Sequence, residues 1–481
     1  MLRYVTGVIP FFIIKSDLSQ GGLMAPRRDF DSLSPLDYRY WREDVARYLS
    51  EEAFIGYKLL VERALVEVLC RFGICAESVA DEISAACATV TAEEVYAEED
   101  RIRHDIRALV NCIRRKVSDV AKPYVHMTAT SYDIIDTANA MRMRDVVQHV
   151  VIPKLKRLEK ALIDITLREA DTLQIGRTHG QHAVPITFGF AMAEYVSRLG
   201  GCIENLDFRI HGLEGKFSGA VGTHSAASLF FDDPEELEVE IMWELDISAA
   251  EYSTQIVPPE AMIRLFSEIT VTAGVLANLA DDMRNLQRTE IGEVGEPFDP
   301  NQVGSSTMPQ KRNPITFENA KSLWTVILPR LMTVFMNQIS DHQRDLTNSA
   351  SSRTYGESIV YLVWIAERLA GAMEKLVIDK KNLSRNLAMQ GDMILAEPLY
   401  LILASLGHPD AHEKVKQLTL SAQKQGTTLT FVTCADREMH SYLERMTTYQ
   451  QQVLLDPAFY VGIAPKRARR VAERWAQELE I

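Results

Sequence analysis

Strand-like alternation of apolar and polar residues is scarce in this 481-residue chain, and internal repeats, low-complexity tracts and Ser/Gly linkers are absent. These absences argue against a repeat array and against modules strung on flexible tethers. The six cysteines (Cys70, Cys75, Cys87, Cys112, Cys202 and Cys434) form no CxxC pair and show no zinc-ligand spacing. Thiols scattered on apolar helical stretches read instead as small core residues in a reducing compartment, which points to the cytoplasm. Positive charge is in deficit: 52 basic against 66 acidic residues give a formal charge of −14. Such a surface repels phosphate backbones, so non-specific binding to nucleic acid is excluded. A long hydrophobic run near the start is also missing. Val5 to Ile14 is apolar but short, is broken by Pro10 and lacks a small-residue cleavage site, so it neither spans a bilayer nor reads as a secretion signal. Residues 1–33 are expected to be a flexible extension, with Met24 a second candidate start.

What is present is ordinary globular composition, 47% hydrophobic and 25% charged, in a length that suggests about three domain-sized units. Helical periodicity dominates. Met262, Phe266, Ile269, Ala273, Leu276, Ala280 and Met283 are spaced alternately by four and three, and Leu265, Leu279 and Leu286 widen the stripe. A second stripe runs through Phe188, Ala191, Tyr195, Leu199, Cys202, Leu206, Ile210 and Leu213, about seven turns. Helices of this length predict bundle packing. Further helices are predicted over 138–173 and 316–342, kinked or interrupted by Pro153 and Pro329. Turn-rich breaks are predicted near 122–133, 174–187, 212–224, 290–315 and 346–356, and the chemically interesting residues fall within them.

Three breaks carry distinct chemistry. In Thr128-Ala129-Thr130-Ser131, preceded by His126, the hydroxyls of Thr130 and Ser131 are donors suited to a carboxylate, while Asp136-Thr137 also reads as a helix N-cap. In Arg177-Thr178-His179-Gly180-Gln181-His182, His179 has the near-neutral pKa that a proton carrier needs. A metal reading of His179-x-x-His182 lacks a nearby third ligand. The run Gly304-Ser305-Ser306-Thr307-Met308-Pro309-Gln310-Lys311-Arg312-Asn313-Pro314 sets two serines after a glycine and then a cation and an amide. It opens a stretch, 304–353, with six basic and three acidic residues, a local excess of positive charge inside an acidic chain. That stretch ends in Arg344-Asp345-Leu346-Thr347-Asn348-Ser349 and Arg353, whose guanidinium forks suit carboxylate and phosphate.

Taken in this order, the motifs resemble those of the fumarase/aspartase superfamily, and the Lys311-Arg312-Asn313-Pro314 ending resembles its adenylosuccinate lyase branch. The likeness covers roughly residues 34–465, with weaker matches at Ala396-Glu397 and Tyr460-Val461-Gly462. It implies an all-α fold of three domains, 34–135, 136–385 and 386–481, the middle one a long-helix bundle. It also implies a homotetramer in which each active site draws its segments from different subunits, a small-molecule nucleotide as substrate, no metal and no cofactor. The implied reaction eliminates fumarate from adenylosuccinate and from the succinyl-aminoimidazole carboxamide ribotide of purine synthesis. Ser305 would be the general base and His179 the general acid. Arg39 and Tyr40, in a Ser-Pro-Leu-Asp-Tyr-Arg-Tyr segment, would hold the phosphate. His104 and Asp105 match the family's His-Asp pair. His126, Thr130, Ser131, Thr178, Gln255, Lys311, Asn313, Arg344, Ser349 and Arg353 would contact the substrate, and Glu318 would orient His179. Two departures stand out. His182 falls where many adenylosuccinate lyases carry proline, and Pro258-Pro259-Glu260 replaces a basic-acidic pair. Another superfamily lyase, such as argininosuccinate lyase or a carboxymuconate cycloisomerase, is the alternative reading; a non-catalytic helical scaffold is the other.

Overall fold

The computed structural model describes residues 32–298 and 307–481. The N-terminal extension up to residue 31 and Gly304, Ser305 and Ser306 lie outside the described residues. The chain divides after Arg42. In the short leading unit, Ser34 caps a one-turn helix, Pro35–Tyr38, by accepting from the Leu36 N–H at 3.3 Å. The N–H groups of Arg39 and Tyr40 both return to Pro35 O at 2.9 Å.

The main unit is helical almost throughout. Glu51–Arg71, Glu77–Cys87, Ala92–Ile102, Asp105–Arg115 and Pro234–Glu244 enclose one core, built around Leu65, Leu69, Leu109, Ile113, Ile134 and Ile241. Thr91 and Glu94 form a capping box that starts the third of these helices. A separate small core near the C-terminus gathers Leu399, Leu403, Val415, Leu418, Leu429 and Met439.

Between them lies a bundle of Ile152–Arg168, Phe188–His211, Glu260–Leu286, Ile315–Met336 and Tyr355–Glu374, each packed along at least two of the others. The predicted stripes face its core. Phe266, Ile269, Ala273, Leu276, Ala280 and Met283 are buried, as are Tyr195, Leu199, Cys202, Leu206 and Ile210. Among the described residues, Glu260–Leu286 is the single unbent helix with the length and apolarity to cross a membrane, and its stripe is spent on the bundle core. The last helix, Ala464–Glu478, folds back onto the bundle, where Trp475 lies flat against Gly200. Any Cβ at Gly200 would collide with that ring, so the close approach requires glycine there.

Four local expectations change. The 138–173 helix is two helices, Ser131–Val146 and Ile152–Arg168, joined by a π-helical turn, Val147–Val151. Pro153 has no N–H to give and crowds the preceding turn, so the widened turn lets the chain continue without a sharp break. The 316–342 helix ends at Met336 and passes through Pro329. The 174–187 break is a β-hairpin, Leu173–Thr178 with Gln181–Thr187. Asp136 and Thr137 lie inside a helix that Thr130 caps. Of the six cysteines, Cys434 is exposed and Cys70 half-buried; the other four are core residues.

Glu159 is fully enclosed in the bundle, and neither of its carboxylate oxygens has a hydrogen-bond partner. Burial therefore pushes its carboxyl up to about 9. With its pKa raised in the folded state, Glu159 favours folding most at low pH, and that contribution is lost as pH rises from the ordinary carboxyl range through about 9. Glu159→Leu is expected to raise the unfolding free energy at pH 8 and to flatten its fall toward alkaline pH, as read from urea titrations at several pH values.

Candidate active site

The site residues fall into two groups, each fixed by a buried carboxylate. The first surrounds the N-terminus of the Ser131–Val146 helix. Thr130 is its N-cap, and Asp133 reaches back to accept from the Thr130 N–H at 2.8 Å, which sets the Thr130–Ser131 hydroxyls at a helix start. The other Asp133 oxygen accepts from Lys216 Nζ and from the Ser218 and Gly219 N–H groups at 3.1 and 3.2 Å. Lys216 and Asp133 are both fully buried, so their charges must satisfy each other. Just upstream, His126 and Thr128 adopt φ of +62° and +64°, a strained conformation for a β-branched residue such as Thr128. His126 Nδ1 lies 2.6 Å from Glu62 Oε1. Burial works against the charged imidazole, but the Glu62 carboxylate outweighs it and raises the His126 pKa above its usual value.

Tyr132 joins this group to the arginine run. Arg344 donates to its hydroxyl and stacks over its ring, 4.1 Å from guanidinium carbon to centroid. Asp105, Asp136 and Arg344 all exert their charge on that phenol. His104 caps the Asp105–Arg115 helix through Nδ1, accepting from the Arg107 N–H at 3.2 Å. The Gln255 N–H donates to Gln343 O at 3.4 Å, so the Gln255 loop lies against the arginine run. Arg344 also donates to Asn348 Oδ1 at 3.0 Å. Ser349 is exposed beside it, and exposed Arg353 acts electrostatically on Tyr96. A cavity of about 120 Å³ opens beneath Arg344, lined by Tyr132, Asp136, Asn139, Val257 and Asn337 among others.

The second group sits at the opposite end of the Glu260–Leu286 helix. His179 and Gly180, with φ of +55° and +73°, form the two-residue turn of the hairpin, so His179 stands exposed at its tip beside Thr178. The hairpin is anchored by buried Glu293. Its carboxylate accepts from Arg177 at 2.5 and 3.2 Å, from Gln174 at 2.8 Å and from Asn386 at 2.8 Å. Its N–H donates to Leu286 O at 3.0 Å. His182, on the same hairpin, has a pKa lowered by burial and by Arg177. Exposed Lys311 and half-buried Asn313 lead into the Ile315–Met336 helix, whose first N–H groups, Thr316 and Phe317, are capped by Glu296 at 3.2 and 2.9 Å. Glu318 is exposed on that first turn and makes no contact with His179 within the chain. Among the described residues no three His, Cys, Asp or Glu side chains gather as metal ligands.

The Glu260–Leu286 helix, 27 residues and roughly 40 Å long at 1.5 Å per residue, runs between the two groups. Gln338 bonds Glu260 at one end, and Gln287 receives the Glu296 N–H at the other. Thus His104, His126, Thr130, Ser131, Gln255 and Arg344 lie toward one end, whereas the hairpin with Thr178 and His179 and the segment with Lys311 and Asn313 are each tied to the other end of Glu260–Leu286. Lys216, Glu293 and Tyr132 were missed by the sequence reading. Nothing in the local pattern marks the first two, because their partners lie 83 and 116 residues away.

Comparison with known proteins fits this architecture. Residues 28–328 match the lyase family profile, and residues 340–451 match the adenylosuccinate lyase C-terminal profile. The fold is shared with 3-carboxy-cis,cis-muconate lactonizing enzyme from Pseudomonas putida, at a TM-score of 0.79 and 27% identity over 91% of this chain and 97% of that one. The protein is therefore a lyase of the fumarase/aspartase superfamily. The adenylosuccinate lyase of Pyrococcus abyssi is 37% identical over 93% of this chain and 99% of its own length, and that of Archaeoglobus fulgidus is 35% identical over 92% and 99%. The chain belongs to the adenylosuccinate lyase family.

Glu293→Ala removes the buried carboxylate shared by half-buried Arg177, Gln174 and Asn386, a loss of about 3–5 kcal/mol when such a pair is broken. The variant's unfolding free energy is expected to fall by that amount, with a lower denaturant midpoint; an unchanged midpoint would show that the hairpin is held otherwise.

Proposed function

We propose that the chain is an adenylosuccinate lyase, cleaving adenylosuccinate to AMP and fumarate and acting likewise on the succinyl-aminoimidazole carboxamide ribotide of purine synthesis. The observation that carries the reading is the near full-length match to adenylosuccinate lyases at 35–37% identity. The muconate lactonizing enzyme shares the fold at lower identity, and the Arg344–Arg353 run favours the purine substrate over that alternative.

In the proposed reaction, Ser305 as alkoxide takes the Cβ proton of the succinyl group. The electron pair left on carbon is held as an aci-carboxylate by Lys311, Asn313, Thr130 and Ser131. Collapse of that intermediate forms the C=C bond of fumarate and breaks the C–N bond, while His179, oriented by Glu318, donates a proton to the departing nitrogen. Arg39, Tyr40, Arg344, Ser349 and Arg353 receive phosphate and carboxylates, with His104, Asp105, His126, Thr178 and Gln255 completing the contacts. A serine works as a base only where cations and donors stabilise its alkoxide, and the positive 304–353 stretch offers such an environment.

Two observations support assembly of this site from more than one copy of the chain, which we read as a cytoplasmic homotetramer. The helix that runs between the groups is roughly 40 Å long, more than a small substrate spans. The Ile315–Met336 helix also carries a second apolar face, with Leu328, Met332, Phe335 and Met336 exposed and Ile339 just beyond at 81% exposure, the kind of surface that a second copy covers. The domain boundaries 34–135, 136–385 and 386–481 belong to the same reading.

Ser305→Ala and His179→Ala are each expected to lower kcat by at least about 100-fold while leaving the assembly unchanged by light scattering. Fumarate release is followed in the ultraviolet with a panel of succinyl substrates. Near-parental turnover in either variant would overturn the role given to that residue.

A further inference from the structure

Asp136 is given no part in the elimination, yet it stands where three substrate-facing segments meet. One carboxylate oxygen accepts from the Val257 N–H at 2.9 Å, across 121 residues. Val257 lies two residues beyond Gln255, whose own N–H is tied to Gln343 O, next to Arg344. Arg344 in turn bonds and stacks on Tyr132, one turn before Asp136 on the same helix. These contacts close a circuit through the Ser131–Val146 helix, the Gln255 loop and the arginine run, with the cavity at its centre. Asp136, Tyr132, Val257 and Arg344 all line that cavity. The two prolines that follow Val257 donate no N–H, so among the three residues 257–259 only Val257 can tie the loop down by a backbone donor.

We infer that Asp136 is a positioning residue for substrate binding: its carboxylate fixes the Gln255 loop through Val257 and supplies the negative charge against which Arg344 is set. The inference rests on the proposed activity and assigns to the same site a residue whose loss weakens binding rather than proton transfer.

The titratable and charged groups around Asp136 are Tyr132 and Asp133 on its own helix, Lys216 and Glu214 from the segment after the Phe188–His211 helix, Arg344 from the arginine run and Tyr355 at the start of Tyr355–Glu374. Desolvation of this half-buried carboxyl is the largest influence and raises its pKa to about 6, against the opposing pull of the Val257 N–H, Lys216 and Arg344. The carboxylate is thus present above about pH 6 and is neutralised as pH falls through that value. Binding that depends on it weakens over the same window.

The test compares the parent with Asp136→Asn and Asp136→Ala at pH 5 to 8, reading KM and kcat separately for adenylosuccinate. Asparagine keeps the acceptor and the size but cannot ionise. Its KM should be several-fold above the parent's at pH 8, and the ratio of the two should fall toward one as pH drops through about 6; titration of the substrate phosphate cancels in that ratio. Alanine removes the acceptor and leaves Val257 unbonded, so KM should rise about tenfold or more at every pH, with kcat within about threefold of the parent. The Asn variant is near-isosteric and tests the inference even where Ala fails to fold. A KM ratio that does not vary with pH, or a loss confined to kcat, would overturn the positioning role. Absence of turnover in the parent would instead overturn the proposed activity on which the role rests.

Discussion

The architecture turns on the rigidity of one 27-residue helix. Glu260–Leu286 is buried along its apolar stripe from Leu265 to Met283 and flanked by Phe188–His211, Ile315–Met336 and Tyr355–Glu374, so it can neither bend nor shorten without opening the core. The chain passes from the Gln255 loop at one end to the Glu293 anchor at the other, returns along Ile315–Met336 and delivers Arg344 where it started. Two groups of candidate site residues at opposite ends of a rod, the proposed half-sites, are the direct consequence.

Each half-site depends on a buried carboxylate that collects donors from segments far apart in sequence. Asp133 gathers Lys216 and three backbone N–H groups, and Glu293 gathers Arg177, Gln174 and Asn386. Desolvating a carboxylate is costly, and several donors converging on it offset that cost while fixing the position of everything they belong to. The Thr130–Ser131 hydroxyls and the His179 tip are therefore held by interactions that never touch a substrate. Glu159 shows the contrasting case, a buried carboxyl without donors that holds its proton instead.

Much of this was legible from periodicity. The two long stripes are dictated by a 3.6-residue repeat that only a buried helix satisfies, and they fold as such. The signature motifs mark loops because their glycines and prolines punctuate that repeat. Other features were not legible for physical reasons. The hairpin at 173–187 is short, and its tight turn uses His179 where asparagine is the familiar signal, so it read as an irregular break. Asp136-Thr137 has N-cap chemistry, but the Thr130–Asp133 capping box starts the helix earlier, and Asp136 is spent on Val257. The gathering of His126 with Arg344, and their separation from His179, depends on how the bundle reverses direction, which no local pattern encodes.

The central claim is that a working site needs both ends of the rod, contributed by different copies. Mixing His179→Ala and Arg344→Ala proteins, each expected to be inactive, dissociating them mildly and letting them reassociate tests it most directly. If sites are shared, some reassembled sites combine an intact His179 from one copy with an intact Arg344 from another, and a measurable fraction of turnover returns. Mixtures that stay as inactive as their parents, despite exchange of subunits verified by mass spectrometry, would contradict the account.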